Sequence, residues 1–502
     1  MNTPQQSVAV ALAVASFAGC ASPRFTSEGR LQREMAIADA AYRSLRPGHV
    51  TGYNAAVASI SRQMDGETAP DFHSQLASMG VEVDEPAVKL PLAHYHVVLR
   101  GQIPNDPYAL GVPMVLEYDT QHAPLYPREG LFVSATAIYH RMHGRPHVSL
   151  VRGQRSLKLN GFTYPLAVDN VAPELTLSRR ARRILRSGFQ NMLRPARMGE
   201  EPQIFLLDPY DPNKIPLLMI HGLQTTPIEF LSMINALRSD PEIAQHFQTW
   251  HFFYATDLPD LVNALVLRNE LANTIHTVDP HDHDFATRHI VVLGHSMGGL
   301  LAHTLVSSTG NRIWASIFVV PPKRLRGDPK AIQEFKDAFF FRRNPRVIRV
   351  IFMATPHRGS ALADTWLGAI AKSLIRLPPT LQTGFTDIVE ENPGATTPGG
   401  TAFNKQLNFS SVHTLSPHDP ALLALAQLPI AVPFHNIIGQ LRPGPVETGS
   451  DGVVTYTSAH LDGAASELVV RSGHNIADNP EAQREVIRIL RLELNSVTKS
   501  RE

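Results

Sequence analysis

The sequence has one cysteine, almost no net charge and no long apolar run after its N-terminal segment, and each shortage excludes a class of protein. Cys20 is the only cysteine among 502 residues, which excludes an intrachain disulfide scaffold and a zinc site built from several thiolates. Lys and Arg number 46 and Asp and Glu 45, a formal charge of +1 that disfavours a nucleic acid as partner. No later segment offers about 18 consecutive apolar residues, so we predict no transmembrane helix.

The first 20 residues resemble a signal for export, although residues 1–7 lack the Lys or Arg that is usual before the apolar run. Residues 8–19 form an apolar run that is too short to span a membrane. The run ends in Phe17-Ala18-Gly19-Cys20, which resembles the lipobox of bacterial lipoproteins, although Leu is usual where Phe17 stands. We predict export to the bacterial cell envelope and lipidation of Cys20, with an outer-membrane anchor if this lipobox is used. A signal cleaved nearby and a buried apolar helix are the alternatives.

Residues 21–200 have the pattern of a helical and β-rich N-terminal domain. The chain is 43% hydrophobic and 18% charged, which excludes disorder of the whole protein. Residues 28–66 are rich in helix formers, and short β-branched or aromatic runs from Leu90 to Ala172 predict a small antiparallel sheet. A basic helix follows, which we interpret as a link or a solvated face, with contact to anionic lipid as the alternative. Its cationic residues are Arg179, Arg180, Arg182, Arg183 and Arg186.

From about Pro202 onward, apolar runs of strand length alternate with helical stretches. The runs lie at 215–222, 249–256, 289–296, 346–356, 434–440 and 466–474. This alternation predicts βαβ units, a mostly parallel sheet and helices on both of its faces. We therefore expect an α/β domain over residues 201–498.

Two insertions interrupt this alternation and are candidates for caps over a substrate site. They lie at about 321–345, which contains Phe339–Phe341, and at about 361–433. Long excursions beside the C-terminal edge of such a sheet often form lids. An apolar helix over Trp366–Leu377 would line an acyl pocket, and its packing as ordinary core is the alternative.

The strongest chemical signal is Gly294-His295-Ser296-Met297-Gly298-Gly299, directly after an apolar strand. The spacing Gly-x-Ser-x-Gly is typical of a nucleophile elbow, in which a tight strand-to-helix turn exposes the serine hydroxyl. The sequence therefore predicts Ser296 as a nucleophile, with a glycine-rich turn as the alternative.

A second motif, His221-Gly222-Leu223, also stands at the end of a predicted strand. A loop at this place can direct a backbone N–H toward the carbonyl oxygen of an acyl substrate. We predict that the N–H groups of Leu223 and Met297 form an oxyanion hole, and a simple turn is the alternative.

A serine nucleophile needs a base, which in turn needs an acid to orient it. In an elbow-type hydrolase the acid and then the histidine follow the serine along the chain. His474 follows the last predicted strand, and Asp451 follows the strand before it, so we predict these two as base and acid. The rival acids are Asp462 and Glu467, and the rival bases are His357 and His460.

Five segments together resemble bacterial α/β-hydrolases of the lipase and esterase type. They are Met219–Leu223, Gly294–Gly299, Ala354–Ser360, Ser450–Val454 and Ser472–His474. The third is similar to a loop of that fold's lipases and of glycosylphosphatidylinositol inositol deacylase-like hydrolases. The stretch from Ser450 to His474 resembles a group of exported hydrolases with a long N-terminal extension. The resemblance covers roughly the last 300 residues.

The resemblance implies the α/β-hydrolase fold and ester hydrolysis through an acyl-enzyme, without a cofactor. An acyl ester, with lipid esters among the candidates, would be the substrate, and the lipid anchor would make a membrane surface the second partner. An acyltransferase or a peptidase on the same triad and a non-catalytic envelope lipoprotein are the alternatives, because one fold serves many reactions.

Two further segments carry polar residues that need an interpretation. His281, Asp282, His283 and Asp284 are potential metal ligands, but we interpret the segment as a solvated turn and predict no metal site. Arg358 either borders the acyl pocket, together with His357, or fastens the loop, and we favour fastening.

Overall fold

The computed structural model describes most of the chain after residue 26. The described residues are 27–62, 82–84, 95–98, 108–120, 123–127, 130–152, 155–170, 172–173, 175–177, 202–223, 225–256, 258–360, 387–405 and 414–499. The predicted signal over 1–20 with its lipidation site Cys20, the basic residues Arg179–Arg186 and the apolar stretch Trp366–Leu377 lie outside the described residues.

The N-terminal helical region consists of two helices, α1 (Ser27–Arg43) and α2 (Thr51–Arg62). Pro47 cannot donate a helical hydrogen bond, and Gly48 has a φ of +78°, so the chain turns between the helices. The predicted helical region is therefore divided into two parts. Buried residues of α2 share one core with the sheet that follows.

The small antiparallel β region predicted from Leu90 to Ala172 is present, but its sheet also includes a parallel strand from before Leu90, and a hairpin accompanies the five-stranded sheet. The sheet strands are β1 (Glu82–Asp84), β2 (Tyr95–Val98), β3 (Val112–Tyr118), β4 (Leu131–Met142) and β5 (Arg145–Val151), and the hairpin strands are β6 (Ser156–Leu159) and β7 (Phe162–Pro165). The sheet order is β1-β5-β4-β3-β2, with β1 parallel to β5 and the other pairs antiparallel. Two-residue turns with positive φ values at both positions join β4 to β5 and β6 to β7, as expected for tight hairpins.

The larger sheet has seven strands and is parallel except at one edge. Its strands are β8 (Gln203–Leu206), β9 (Ile215–Ile220), β10 (Phe247–Phe253), β11 (Ile290–His295), β12 (Val347–Met353), β13 (Phe434–Gly439) and β14 (Ser466–Val470). The order is β14-β13-β12-β11-β9-β10-β8, with only β8 antiparallel to its neighbour. Six strands were predicted, and β8 was missed. The predicted α/β-hydrolase fold is confirmed.

Helices cover both faces of this sheet. They are α3 (Leu231–Ser239), α4 (Pro241–His246), α5 (Asp260–Val278), α6 (Phe285–Arg288), α7 (Met297–Val306), α8 (Arg312–Ile317), α9 (Pro329–Phe339), α10 (Pro398–Lys405), α11 (Pro420–Ala426), α12 (Tyr456–Ala459) and α13 (Pro480–Lys499). Alternate residues of each strand face opposite layers, as the two-residue period requires. Leu218 of β9 packs in the core with α5 and α7, whereas Met219 packs in the core with α3 and α13.

The first predicted insertion, 321–345, contains a short 3-10 helix at Pro322–Arg324 and the helix α9. Phe339 and Phe341 are buried, and the Phe339 ring lies edge-on to Trp314 of α8. This part of the insertion therefore packs as core. Among the described helices, none is both long and apolar enough to span a bilayer.

Candidate active site

Ser296 lies in the tight turn between β11 and α7. Its φ of +54° is uncommon for a residue with a Cβ and indicates local strain. The turn needs glycine on the strand side, because a Cβ at Gly294 would overlap with the backbone of Gly299. The Ser296 N–H donates to the carbonyl oxygen of Met353 in β12 at 2.9 Å. The turn thus lies at the C-terminal edge of the sheet.

A chain of hydrogen bonds links Ser296 to two side chains that lie far away in the sequence. Nε2 of His474 lies 2.8 Å from Oγ of Ser296, and Nδ1 of His474 lies 2.8 Å from Oδ2 of Asp451. Ser296 is 7% exposed, and the side chains of His474 and Asp451 are 21% and 1% exposed. The structure therefore brings the predicted nucleophile, base and acid together, with the carboxylate shielded from solvent.

Asp451 is fixed by its own loop, which follows β13. Its Oδ1 accepts the N–H groups of Val453 at 2.8 Å and Val454 at 2.7 Å. Gly452 takes a φ of +94° and lets the chain fold back on the carboxylate. Because one oxygen is occupied by backbone donors, the other is directed to His474.

The loop with the predicted oxyanion donor lies against the serine. A Cβ at Gly222 would stand 3.0 Å from Cβ of Ser296, so the residue before Leu223 touches the nucleophile. The carbonyl oxygen of His221 accepts the hydroxyl of Tyr254 at 2.7 Å, which fixes the start of this loop. Met297 is the first residue of α7, where N–H groups lack acceptors within the helix.

Two ionisable residues that the sequence analysis missed complete the surroundings of the site. Glu229 lies in a 3-10 helix, Pro227–Phe230, and its side chain is 6% exposed. Its Oε1 accepts the N–H of Gly222 at 3.0 Å and lies 3.2 Å from Nδ1 of His295. Nε2 of His295 lies 2.8 Å from the carbonyl oxygen of His474.

The charges of Glu229 and His295 stabilise each other in this buried place. Burial alone would lower the pKa of His295, but the Glu229 charge and the hydrogen bonds to Glu229 and His474 raise that pKa above its usual value. Burial would raise the pKa of Glu229, and the charge of His295 lowers it instead. Both directions favour an ion pair of carboxylate and imidazolium. The position of His295 inside the serine motif was the one available signal for it.

The rival residues have other partners. Nδ1 of His460 lies 2.7 Å from Glu467, and its Nε2 lies 3.1 Å from Asp462, so both rival acids contact the rival base. His357 is fully buried, and its ring lies edge-on to Phe352.

Arg358 and the segment around Asp282 have structural contacts. Arg358 donates to the carbonyl oxygens of Thr457 and His460, which fastens its loop. Asp282 forms ion pairs with Arg288 and Arg346. In the described part of the chain, no group of three or more His, Cys, Asp or Glu side chains is arranged to hold a metal ion.

Comparison with known proteins gives weak structural similarities only. No protein-family model matches the sequence, and no curated protein matches it. The lipase BlEst2 of Bacillus licheniformis in its mature form is 18% identical, with a TM-score of 0.32 over 57% of this chain and 97% of that one. A lipase-esterase related protein from Clostridium acetobutylicum is 13% identical, with a TM-score of 0.30 over 58% and 99%. Mouse alpha/beta hydrolase domain-containing protein 10 is 13% identical, with a TM-score of 0.29 over 59% and 96%. The strand order and the tight serine turn, and not these similarities, define the fold.

Proposed function

We propose that the chain is a serine hydrolase that cleaves carboxylic esters, of the lipase or esterase type. The observation that carries this proposal is the hydrogen-bonded series Ser296–His474–Asp451, with 2.8 Å at each step. In this geometry the imidazole can accept the serine proton at Nε2 while Nδ1–H donates to the carboxylate.

The first half of the reaction forms an acyl-enzyme. Oγ of Ser296 attacks the ester carbonyl carbon as its proton moves to Nε2 of His474, and the carbonyl oxygen becomes an oxyanion. The C–O bond to the alcohol then breaks, and His474 returns the proton to the departing alkoxide. Asp451 holds the imidazole in the required tautomer and stabilises its cation.

The second half restores the enzyme. A water molecule attacks the acyl carbon, its proton moves to His474, and the bond to Oγ breaks as that proton returns to Ser296. The carboxylic acid leaves, so one ester and one water give one acid and one alcohol. Every group in both halves belongs to the chain, the substrate or water.

The oxyanion needs donors beside the serine, and we assign the N–H groups of Leu223 and Met297 to this role. Gly222 touches Ser296 and Met297 begins α7, so both backbone segments border the nucleophile. The loss of one such donor typically costs about 3 kcal/mol of transition-state stabilisation. A helix N-terminus also favours the developing negative charge.

For the cellular setting we propose the bacterial envelope, on the ground of the N-terminal sequence alone. Lipidation of Cys20 would hold the enzyme at a membrane of the bacterial envelope, near lipid esters. Metabolic labelling with a fatty acid should mark the wild type and leave Cys20→Ala unmarked. Equal labelling of both chains would contradict the anchor without affecting the proposed chemistry.

An ester panel tests the reaction class. We expect the purified chain to hydrolyse 4-nitrophenyl esters of graded acyl length and Ser296→Ala to be inactive. The panel is run beside matched amides and with an added alcohol acceptor. Faster amide cleavage would indicate a peptidase, and dominant transfer to the alcohol would indicate an acyltransferase.

A further inference from the structure

The buried pair Glu229–His295 connects three loops that belong to different parts of the chain. Glu229 contacts Gly222 in the loop that precedes Leu223. His295 is the residue directly before Ser296, and its ring contacts the backbone of His474. The pair therefore touches the loop of the proposed oxyanion donor, the nucleophile turn and the loop of the base.

The hydrogen-bond partners determine how many protons His295 carries. A carboxylate oxygen and a carbonyl oxygen can only accept, so each ring nitrogen of His295 must donate. A neutral imidazole has one N–H and could satisfy only one of these partners. With Glu229 ionised, the arrangement requires the imidazolium form, and the adjacent carboxylate neutralises its charge in a buried place.

We propose that Glu229 and His295 are positioning residues for the ester hydrolysis proposed above: the doubly protonated His295 holds the backbone of His474, and Glu229 holds both His295 and Gly222. This inference rests on the proposed function. Neither side chain reaches the reacting atoms, since His295 acts through the main chain of His474. The ring centroids of the two histidines are 5.1 Å apart.

The expected effect is on the chemical step, because the pair fixes the mutual placement of the reacting groups. A displacement of about 1 Å in such a site can lower the rate on the order of 100-fold. Because the pair acts through backbone atoms of other loops and not on the substrate itself, we expect KM to change little.

Three variants of the full-length chain test this inference. Glu229→Leu removes both hydrogen bonds, and we expect kcat to fall about 100-fold with KM within about twofold. Glu229→Gln retains an oxygen that can accept from Gly222 and His295 but removes the charge, and we expect a partial loss of about tenfold. The matched control is Glu493→Gln, at a buried carboxylate that pairs with Arg349 at 2.5 Å. It should lower stability and leave kcat unchanged.

A second measurement follows His295 directly by NMR. Wild type should show two downfield imidazole N–H protons assigned to His295 at pH 7, and Glu229→Gln should show one. This measurement does not depend on catalytic activity. The wild-type spectrum is also informative if the variant fails to fold. A single N–H on His295 in the wild type would overturn the inference.

The outcomes separate this inference from the proposed function. If wild type hydrolyses esters and Glu229→Leu keeps its kcat within twofold, the positioning role is overturned and the proposed function stands. If Ser296 does not react in wild type while His295 carries two protons, the proposed function fails and the imidazolium bridge between the loops stands. If Glu493→Gln lowers kcat as much as Glu229→Leu, the effect is one of general stability and the positioning role is overturned.

Discussion

Gly298 of α7 packs directly against the carbonyl oxygen of Ile220 at the end of β9, so closely that a Cβ would overlap with that oxygen. The contact places the nucleophile turn against the strand that leads to the His221–Leu223 loop. Because the atoms next to this position are backbone atoms, no flexible side chain could move aside to admit a Cβ.

Gly298→Ala should therefore destabilise the protein by about 1–3 kcal/mol or more, because the elbow must shift to admit a methyl group. Thermal unfolding monitored by circular dichroism measures the effect. The matched control is Gly52→Ala in α2, where a Cβ meets nothing within 4 Å. The control should be neutral or gain up to about 1 kcal/mol, and an equal loss in both variants would contradict the account.

Asp451→Asn should lower kcat about 1,000- to 10,000-fold while the fold is retained. Oδ1 of Asp451 is held by two backbone N–H groups, so the new amide would keep its oxygen there and turn its NH₂ toward Nδ1 of His474. That donor would move the imidazole proton to Nε2, which could then no longer accept from Ser296. Steady-state ester hydrolysis measures the loss.

Asp462→Asn is the matched control for that prediction. Asp462 is 96% exposed and contacts His460 instead of His474. Its variant should keep full activity. If Asp462→Asn lost as much activity as Asp451→Asn, the assignment of Asp451 as the acid of the triad would be wrong.

Tyr53→Phe should destabilise the N-terminal region by about 1–3 kcal/mol. The pairing of β3 with β4 ends at Ala137, and the Tyr53 hydroxyl continues it by donating to the carbonyl and accepting the N–H of the buried Tyr139. The variant would leave both backbone groups without this partner. Thermal unfolding measures the shift, and Tyr42→Phe, at a half-buried ring edge-on to Tyr139, should lose much less.

His303 should make the fold sensitive to acid. Burial lowers the pKa of His303 to about 4, whereas an unfolded histidine titrates near about 6.5. Between these pH values the unfolded chain binds more protons than the folded chain. The contribution of the neutral His303 to the free energy of unfolding is therefore full above about pH 6.5 and is lost as pH falls toward 4. The loss amounts to about 3 kcal/mol.

The free energy of unfolding of His303→Gln should differ less between pH 7 and pH 4.5 than that of wild type. His281→Gln, at an exposed histidine, should retain the wild-type difference. Denaturant unfolding at the two pH values measures both. The same pH dependence in His303→Gln and wild type would show that this imidazole is not responsible.

The sequence was sufficient for features that depend on local pattern. The elbow combines an apolar strand with Gly294, Ser296 and Gly298 at alternate positions directly after it. This local pattern is enough to predict the tight turn. The pattern of the last two strands predicted that Asp451 and His474 lie at the same edge of the sheet. The break between α1 and α2 was missed, although Pro47 and Gly48 are residues that interrupt a helix.

Other features depend on contacts between distant segments. The strand β8 has only four residues, and its place follows from pairing with β10. Glu229 resembles an ordinary surface acid in the sequence, and its burial beside His295 follows from a contact across 66 residues. The parallel pairing of β1 with β5 has no local signal either.

Labelling with a fluorophosphonate probe tests the central claim most directly. The probe bonds only to a serine oxygen that a neighbouring base has activated, so intact mass spectrometry should show one adduct on wild type, located at Ser296 by peptide mapping. We predict no adduct on Ser296→Ala and at least about 100-fold slower labelling of His474→Ala. An unlabelled wild type, or an adduct that persists in Ser296→Ala, would contradict the account.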